Sequence, residues 1–473
     1  MGASSFFYAG AFLLSTIFCN LRPEIKNHYQ IMDKILKTLI TIALAAFCMG
    51  CGTLGKNVED TAADGNQKPK TKQQSVITAG SEQLALMYNP MATSIHPTVF
   101  AKKHNMKDID LYVVINDSEL LYNKANAQHS NSAKVKIFYK IMASYENTTL
   151  IDSSATIVNF TKSDNPKSYT IKLKLKNVEE EKFVVQTTIT DINRGKMSIH
   201  FTEIDKTNPY SADNYMVSIM GETQPYHYNY VKPGAALRVD YLNGQATSTI
   251  ANGTRMLEPQ ITLSPYASDP AVEDTSHFYN IDSTAINYIL RVSGPGLYAT
   301  TADTNYATNM VLPCFGTDFP NINTPEELIK PLAYLCTPEE YSQMIKSDKK
   351  KLAVDEFWYR NSHDLKKAKE QIKRYYTRAT YANLYFSDYR EGVLTDRGML
   401  YTVLGPPRIL AITSDSEIWT YRDSRNGQNV KFVFRKQKSR LCGCKYVLRR
   451  STEYKPYWDK AVNTWRSGNV FTF

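Results

Sequence analysis

Lys182-Phe183-Val184-Val185-Gln186-Thr187-Thr188-Ile189-Thr190, then Asp191-Ile192-Asn193-Arg194-Gly195, then Met197-Ser198-Ile199-His200-Phe201-Thr202-Glu203-Ile204 is the stretch whose reading decides the fold. Two runs rich in β-branched and aromatic residues flank a polar turn that ends in glycine, the pattern of an antiparallel hairpin. Upstream, Ile109–Ile115, Val135–Ala143 and Ser168–Leu175 repeat that texture between polar turns. Short strands at this spacing predict an antiparallel sandwich, immunoglobulin-like, over residues 81–207. A second group occupies 208–320, with candidate strands Tyr215–Met220, Ala236–Leu242, Gln260–Leu263, Tyr288–Val292 and Met310–Pro313. Turns at Asn243-Gly244, Asn252-Gly253 and Gly294-Pro295-Gly296 punctuate it, so a second, smaller β domain is expected.

At Asn323-Thr324-Pro325-Glu326-Glu327 the texture changes. Thr324 as N-cap, Pro325 at the first helical position and Glu327 at the capping-box position start a helix, and Thr337-Pro338-Glu339-Glu340 repeats the signal. A longer helix follows. Leu365, Ala368, Ile372, Tyr375, Ala379, Ala382 and Phe386 recur in steps of three and four, which puts them on one stripe. Lys366, Lys367, Lys369, Glu370, Lys373 and Arg374 cover the rest of it. A lysine run of this kind is read first as a solvated helix face and second as a patch for an anionic surface.

Beyond the helix stands Glu391-Gly392-Val393-Leu394-Thr395-Asp396-Arg397-Gly398-Met399-Leu400-Tyr401-Thr402-Val403-Leu404-Gly405-Pro406-Pro407, followed by Ile418-Trp419-Thr420-Tyr421 and Val430–Phe434. Gly392 and Gly398 permit positive φ or close backbone approach. Thr395 and Asp396 can pin a loop through nearby N–H groups. Arg397 offers a planar fork for Asp396, another carboxylate or carbonyls. Met399, Tyr401 and Val403 alternate, which predicts a strand ended by Pro406 and Pro407. The motif reads as a clasp between the long helix and a small sheet. The alternative gives Asp396 an acid–base role with Arg397 clamping an anion, but a single carboxylate without a partner supports that weakly.

With Phe357-Trp358 and Tyr375-Tyr376-Thr377-Arg378, this succession resembles the GWxTD domain of Bacteroidetes and related bacteria, over roughly residues 355–450. Gly392, Thr395, Asp396, Arg397, Gly398, Gly405, Pro406 and Pro407 are retained, whereas Val393 stands where the family has tryptophan. The resemblance implies location and architecture rather than a catalytic mechanism. The fold class expected is therefore mainly β with an α+β C-terminal part. One or two immunoglobulin-like sandwiches precede a helical segment and a small β-rich GWxTD-like domain, over 321–473.

The N-terminal region fixes an expected compartment. Met32-Asp33-Lys34-Ile35-Leu36-Lys37, the apolar run Leu39 to Met49 and then Gly50-Cys51 form the parts of a secretory signal. Cys48-Met49-Gly50-Cys51 resembles the lipobox of bacterial lipoproteins, which implies lipidation of Cys51 and anchorage to a membrane. A second apolar run, Phe6 to Cys19, is too short for a span of roughly 20 residues. Residues 1–31 are accordingly read as a gene-model extension, 32–50 as the signal peptide and 51–80 as a flexible polar tether. Gly52 rather than Asp follows the cysteine, so the outer membrane is expected, with its periplasmic face favoured because no dense acidic run follows.

The net charge of +10 is modest for 473 residues and indicates no nucleic-acid partner. The basic run from Lys431 to Phe473, with Tyr446, Tyr454, Tyr457, Trp458 and Trp465 interleaved, fits anionic headgroups, acidic glycans or an acidic protein, and equally well charged strand edges. Cys314, Cys336, Cys442 and Cys444 can pair in an oxidising compartment in three ways. Cys442-Gly443-Cys444 is too tightly spaced for zinc, and the histidines form no metal motif, so no cofactor or metal is expected. No Gly-x-Ser-x-Gly elbow occurs. The favoured function is a lipid-anchored, non-enzymatic scaffold that binds an envelope protein or glycan. The alternative is a hydrolase acting on envelope glycan or peptide through Asp396 or Glu391.

Overall fold

The structure is a computed structural model describing residues 81–473 apart from 106, 125–130, 165–166, 176–177, 209–210, 243–261, 263, 269–288, 300–309, 424–426 and 440–441. The expectations for residues 1–80, Cys51 included, lie outside the described residues. So do the turns at Asn243-Gly244 and Asn252-Gly253 and all of the candidate strand Gln260–Leu263 except Thr262, which is not in a strand.

Seven strands build the first sandwich: β1 (Thr98–Lys103), β2 (Ile109–Asn116), β3 (Ser132–Met142), β4 (Leu150–Thr161), β5 (Ser168–Leu175), β6 (Lys182–Asp191) and β7 (Lys196–Asp205). One sheet has the order β1-β2-β5 and the other β4-β3-β6-β7, all antiparallel. This is an immunoglobulin-like arrangement. Alternation explains it: on β3, Ala133, Val135, Ile137, Tyr139 and Ile141 face inward while Lys134 and Lys136 face solvent. Gly195 takes φ 66° in the β6–β7 turn, as a tight reversal requires. Sequence reasoning missed β1 and β4. In β1, Lys103 is buried and its ammonium donates to the carbonyls of Asp205 and Asn208, so a polar residue occupies an inward position. β4 is an edge strand, half apolar, of which only Phe160 is buried.

The second β group has a core of its own. β8 (Tyr215–Ile219), β9 (Ala236–Tyr241) and β10 (Ile289–Arg291) form a sheet in the order β10-β9-β8, and β11 (Gly296–Ala299) pairs with β12 (Val311–Cys314). Val217, Leu237, Val239, Leu290, Tyr298 and Leu312 meet in that core. Gly296, expected in a turn, begins β11.

The C-terminal part is mixed. Among the described residues it contains α2 (Pro325–Leu332), α3 (Pro338–Lys346), α4 (Lys350–Ser362), α5 (Leu365–Phe386), α6 (Asp396–Leu404) and α7 (Lys455–Arg466), following a short N-terminal α1 (Glu82–Ala85). Both expected capping boxes form, at Thr324/Glu327 and Thr337/Glu340. The α5 stripe is buried as predicted, except that Leu365 is only half-buried. β13 (Ile409–Ile412), β14 (Ser416–Arg422), β15 (Asn429–Ser439) and β16 (Gly443–Leu448) make an antiparallel meander. Trp358, Tyr375 and Trp465 pack edge to face beneath the helices.

One expectation is overturned. Met399, Tyr401 and Val403 lie in a helix, not a strand. Thr395 caps that helix, and Met399, Leu400, Tyr401, Val403 and Leu404 are all buried. A helix enclosed on every side shows no 3.6-residue period, so an accidental alternation looks like a strand. The basic run is also less free than it reads. Arg450 pairs with Asp396, Lys436 with Glu203, Lys460 with Asp423 and Arg466 with Glu340. The four cysteines are free thiols.

Candidate functional site

The signature residues converge on the junction of α5, α6 and the C-terminal sheet. Gly392 opens a 3-10 turn, Gly392–Leu394, laid against α5. A Cβ on Gly392 would stand 2.0 Å from the Ala382 carbonyl oxygen, and one on Gly398 1.8 Å from the Gly392 carbonyl oxygen. Both glycines are thus required by close approach, not by positive φ. Their spacing stacks helix, turn and helix at backbone contact. Thr395 locks the stack: its Oγ1 donates to the Gly392 carbonyl at 2.7 Å and accepts from the Gly398 N–H at 3.0 Å.

Val393 is 1 % exposed. Its N–H donates to Asn383 Oδ1 at 2.9 Å, and its carbonyl accepts from the Tyr334 hydroxyl at 2.9 Å. Val393 is therefore a small, fully enclosed side chain. Gly405 ends α6 at φ 88°, and its carbonyl accepts from the Tyr421 hydroxyl at 2.8 Å. Arg378, buried under the same end, donates to the carbonyls of Val403 and Phe471. Burial there lowers its pKa to about 10. Pro406 and Pro407 follow Gly405 and precede β13.

Asp396 and Arg397 point to different partners: of the three partners open to Arg397, it takes another carboxylate, Glu417, and not Asp396. Asp396 is buried at the first position of α6. Its Oδ1 accepts from Arg450 Nη2 at 2.7 Å and Thr262 Oγ1 at 2.6 Å, and its Oδ2 from the Leu448 N–H at 2.8 Å. It holds the start of α6 to the end of β16. Arg397 instead donates to Glu417 Oε2 at 3.2 Å, and its guanidinium carbon stands over Tyr446, 3.6 Å from the ring centroid. Burial alone would lower its pKa, but the Glu417 carboxylate together with Tyr88 and Tyr446 holds it above the ordinary value. Glu417 is enclosed too. Its other contacts are the Trp419 indole N–H at 2.6 Å and the Tyr88 hydroxyl at 3.1 Å.

Sequence reasoning missed Arg450, Thr262, Glu417 and Tyr88. Arg450 was hidden in a basic run, and Thr262 is distant in the chain. Glu417 carried a signal: it shares the inward register of β14 with Trp419 and Tyr421, where a lone carboxylate needs a cation. Tyr88 belongs to a segment expected in the first sandwich. It packs among Phe386 and Trp419 instead, and Ser81 bridges to Leu410.

A cleft of about 140 Å³ opens beside the motif, lined in part by Ser387, Asp388, Thr395, Arg397, Lys445 and Tyr446. Asp396 does not line it. Asp388 is held by Arg390, and Glu391 by Lys330. Burial raises the Glu391 pKa, which the Lys330 ammonium only partly offsets. Among the described residues, no three His, Cys, Asp or Glu side chains gather to hold a metal ion, and no helix is long and apolar enough to cross a membrane.

No curated protein matches the chain. The crystal structure of a Bacteroides uniformis β-glucuronidase is similar over 29 % of this chain and 16 % of that one, at 11 % identity and a TM-score of 0.16, a level that carries no functional argument. The family model described as the GWxTD domain matches residues 296–467, a longer span than the motif alone marks, taking in β11, β12 and the helices before α5. Residues 296–467 of the chain thus match the GWxTD domain, and the stretch Gly392–Pro407 that carries the resemblance lies inside that span.

Proposed function

We propose that this protein is a lipid-anchored component of the bacterial cell envelope, tethered through Cys51 at the periplasmic face of the outer membrane, that acts by binding an envelope protein or glycan. The observation that supports a binding role over catalysis is the state of the signature. Both oxygens of Asp396 are saturated by donors, Thr395 is consumed by capping, and Arg397 is paired with a buried carboxylate. A hydrolase needs a carboxylate facing its substrate with a second one across an open cleft. Asp396 and Glu391 are each committed to a cation inside the fold. In such an arrangement the polar residues of the motif hold a surface in shape instead of facing a substrate.

Two measurements test the proposal. Metabolic labelling with a fatty-acid analogue should tag the wild-type chain and leave Cys51→Ser unlabelled; equal labelling overturns the anchor. Photo-crosslinking in intact cells from positions around the cleft, such as Lys445, should recover the same protein or glycan in repeated experiments. Failure to recover any reproducible partner overturns the binding role.

A further inference from the structure

We propose that the protein pairs with a second copy of itself along β4, in an antiparallel register centred on Ile157. β4 is bonded to β3 on one side, and its other side has no strand partner among the described residues. It is long, twelve residues, and Leu150-Ile151-Asp152-Ser153-Ser154-Ala155-Thr156-Ile157-Val158-Asn159-Phe160-Thr161 contains one charge and no Lys, Arg or Pro. Leu150 is 56 % and Ile157 57 % exposed. The neighbouring edge, β5, is protected differently, because Lys172 and Lys174 stand along it and pair with Asp110 and Asp108. A long edge with a single charge, no proline and no covering strand is a template for another strand.

Charge complementarity selects both the occupant and the register. A two-fold antiparallel pairing makes the surface complementary to itself. Centred on Ile157, it sets Ile157 against its own copy and Ala155 against Asn159. Asp152 then faces Lys162, the residue that follows the strand. Neither Asp152 nor Lys162 has an ion pair within its own chain among the described residues, so symmetry supplies two such pairs flanking the isoleucines. Moving the register by two residues sets Asp152 against Phe160 or against the acidic Asp164 and loses both. A shift of one residue would turn the outward side chains to the wrong face. The irregularity opposite Ile141 and Met142 falls at the start of β4, outside the paired span. The result is a continuous sheet formed by the four strands of each copy.

Site-directed crosslinking of the full-length chain in intact cells tests this, in a Cys442→Ser, Cys444→Ser background with a short bis-maleimide. Ile157→Cys should give a strong dimer band. Asn159→Cys and Ser153→Cys, on the same face, should give little, because they lie four and eight residues from their own copies, about 13 and 26 Å at 3.3 Å per residue. Asp152→Lys should weaken dimerisation of the detergent-solubilised protein by about tenfold, since it turns two attractions involving the half-buried Asp152 into repulsions. Lys162→Asp added to it should restore the dimer. Absence of an Ile157→Cys dimer, equal crosslinking at 153 or 159, or crosslinking to a different protein instead overturns the proposal. So does failure of the charge swap to rescue, with melting unchanged in every variant.

Discussion

Asp396→Asn is the substitution on which the clasp reading depends. Asparagine keeps the shape of the side chain but removes its charge and converts one acceptor into a donor. The Leu448 N–H, 2.8 Å from Oδ2, cannot turn away, so the amide oxygen must stay there. The new NH2 group then faces Arg450 Nη2, 2.7 Å from Oδ1, and only the Thr262 hydroxyl can rotate to accept from it. Arg450, with a side chain 2 % exposed, loses its counterion. Breaking a buried pair in this way costs about 3–5 kcal/mol. At roughly 2–4 °C per kcal/mol for a domain of this size, the melting temperature should fall by about 10 °C. Differential scanning calorimetry of the purified chain measures it. Arg450→Met combined with Asp396→Asn should cost less than the sum of the two single changes, by about 1–3 kcal/mol. Arg397→Met combined with Asp396→Asn should be additive within about 0.5 kcal/mol, because the two residues share no partner. An unchanged melting temperature in Asp396→Asn, or coupling to Arg397 and none to Arg450, refutes the reasoning.

The two signature glycines should tolerate no side chain: Gly398→Ala drives a methyl into the Gly392 carbonyl, so a loss of at least about 3 kcal/mol and insoluble expression are expected. A tryptophan at position 393 should harm this protein. Val393→Trp overfills an enclosed site and should lower stability by about 1–3 kcal/mol in a thermal melt; a rise would mean that the site has room. Acid should loosen the contact between the first sandwich and the C-terminal sheet. The N–H and hydroxyl of Ser414 hold the Glu146 pKa at about 2, below its ordinary value, so this contact contributes above the unfolded pKa and is lost as pH falls towards 2. Melting curves of Glu146→Gln against pH should therefore fall less steeply between pH 5 and 2 than those of the wild type, and parallel curves would contradict the assignment.

The strands that alternate apolar and polar residues were legible, as were the two helices that begin with Thr-Pro-Glu-Glu, because short-range chemistry decides both. The hidden elements share a cause. β1 buries a lysine, β4 buries little, and α6 is buried on every side, so each lacks the period that betrays its type. Within the motif, sequence showed that Gly392 and Gly398 mattered without showing that they touch each other. It also put Arg397 beside Asp396 in the chain, where helical geometry turns neighbouring side chains about 100° apart. The true partners, Glu417 and Arg450, lie on strands that only tertiary packing brings close.

Complementation by Asp396→Asn, scaled to the amount of folded protein, tests the central claim most directly. In a deletion strain grown at low temperature, where the variant remains folded, the account predicts that function tracks folded abundance and returns as the variant accumulates. A variant present at wild-type folded abundance that still fails to complement would make Asp396 a working residue of a site and contradict the account.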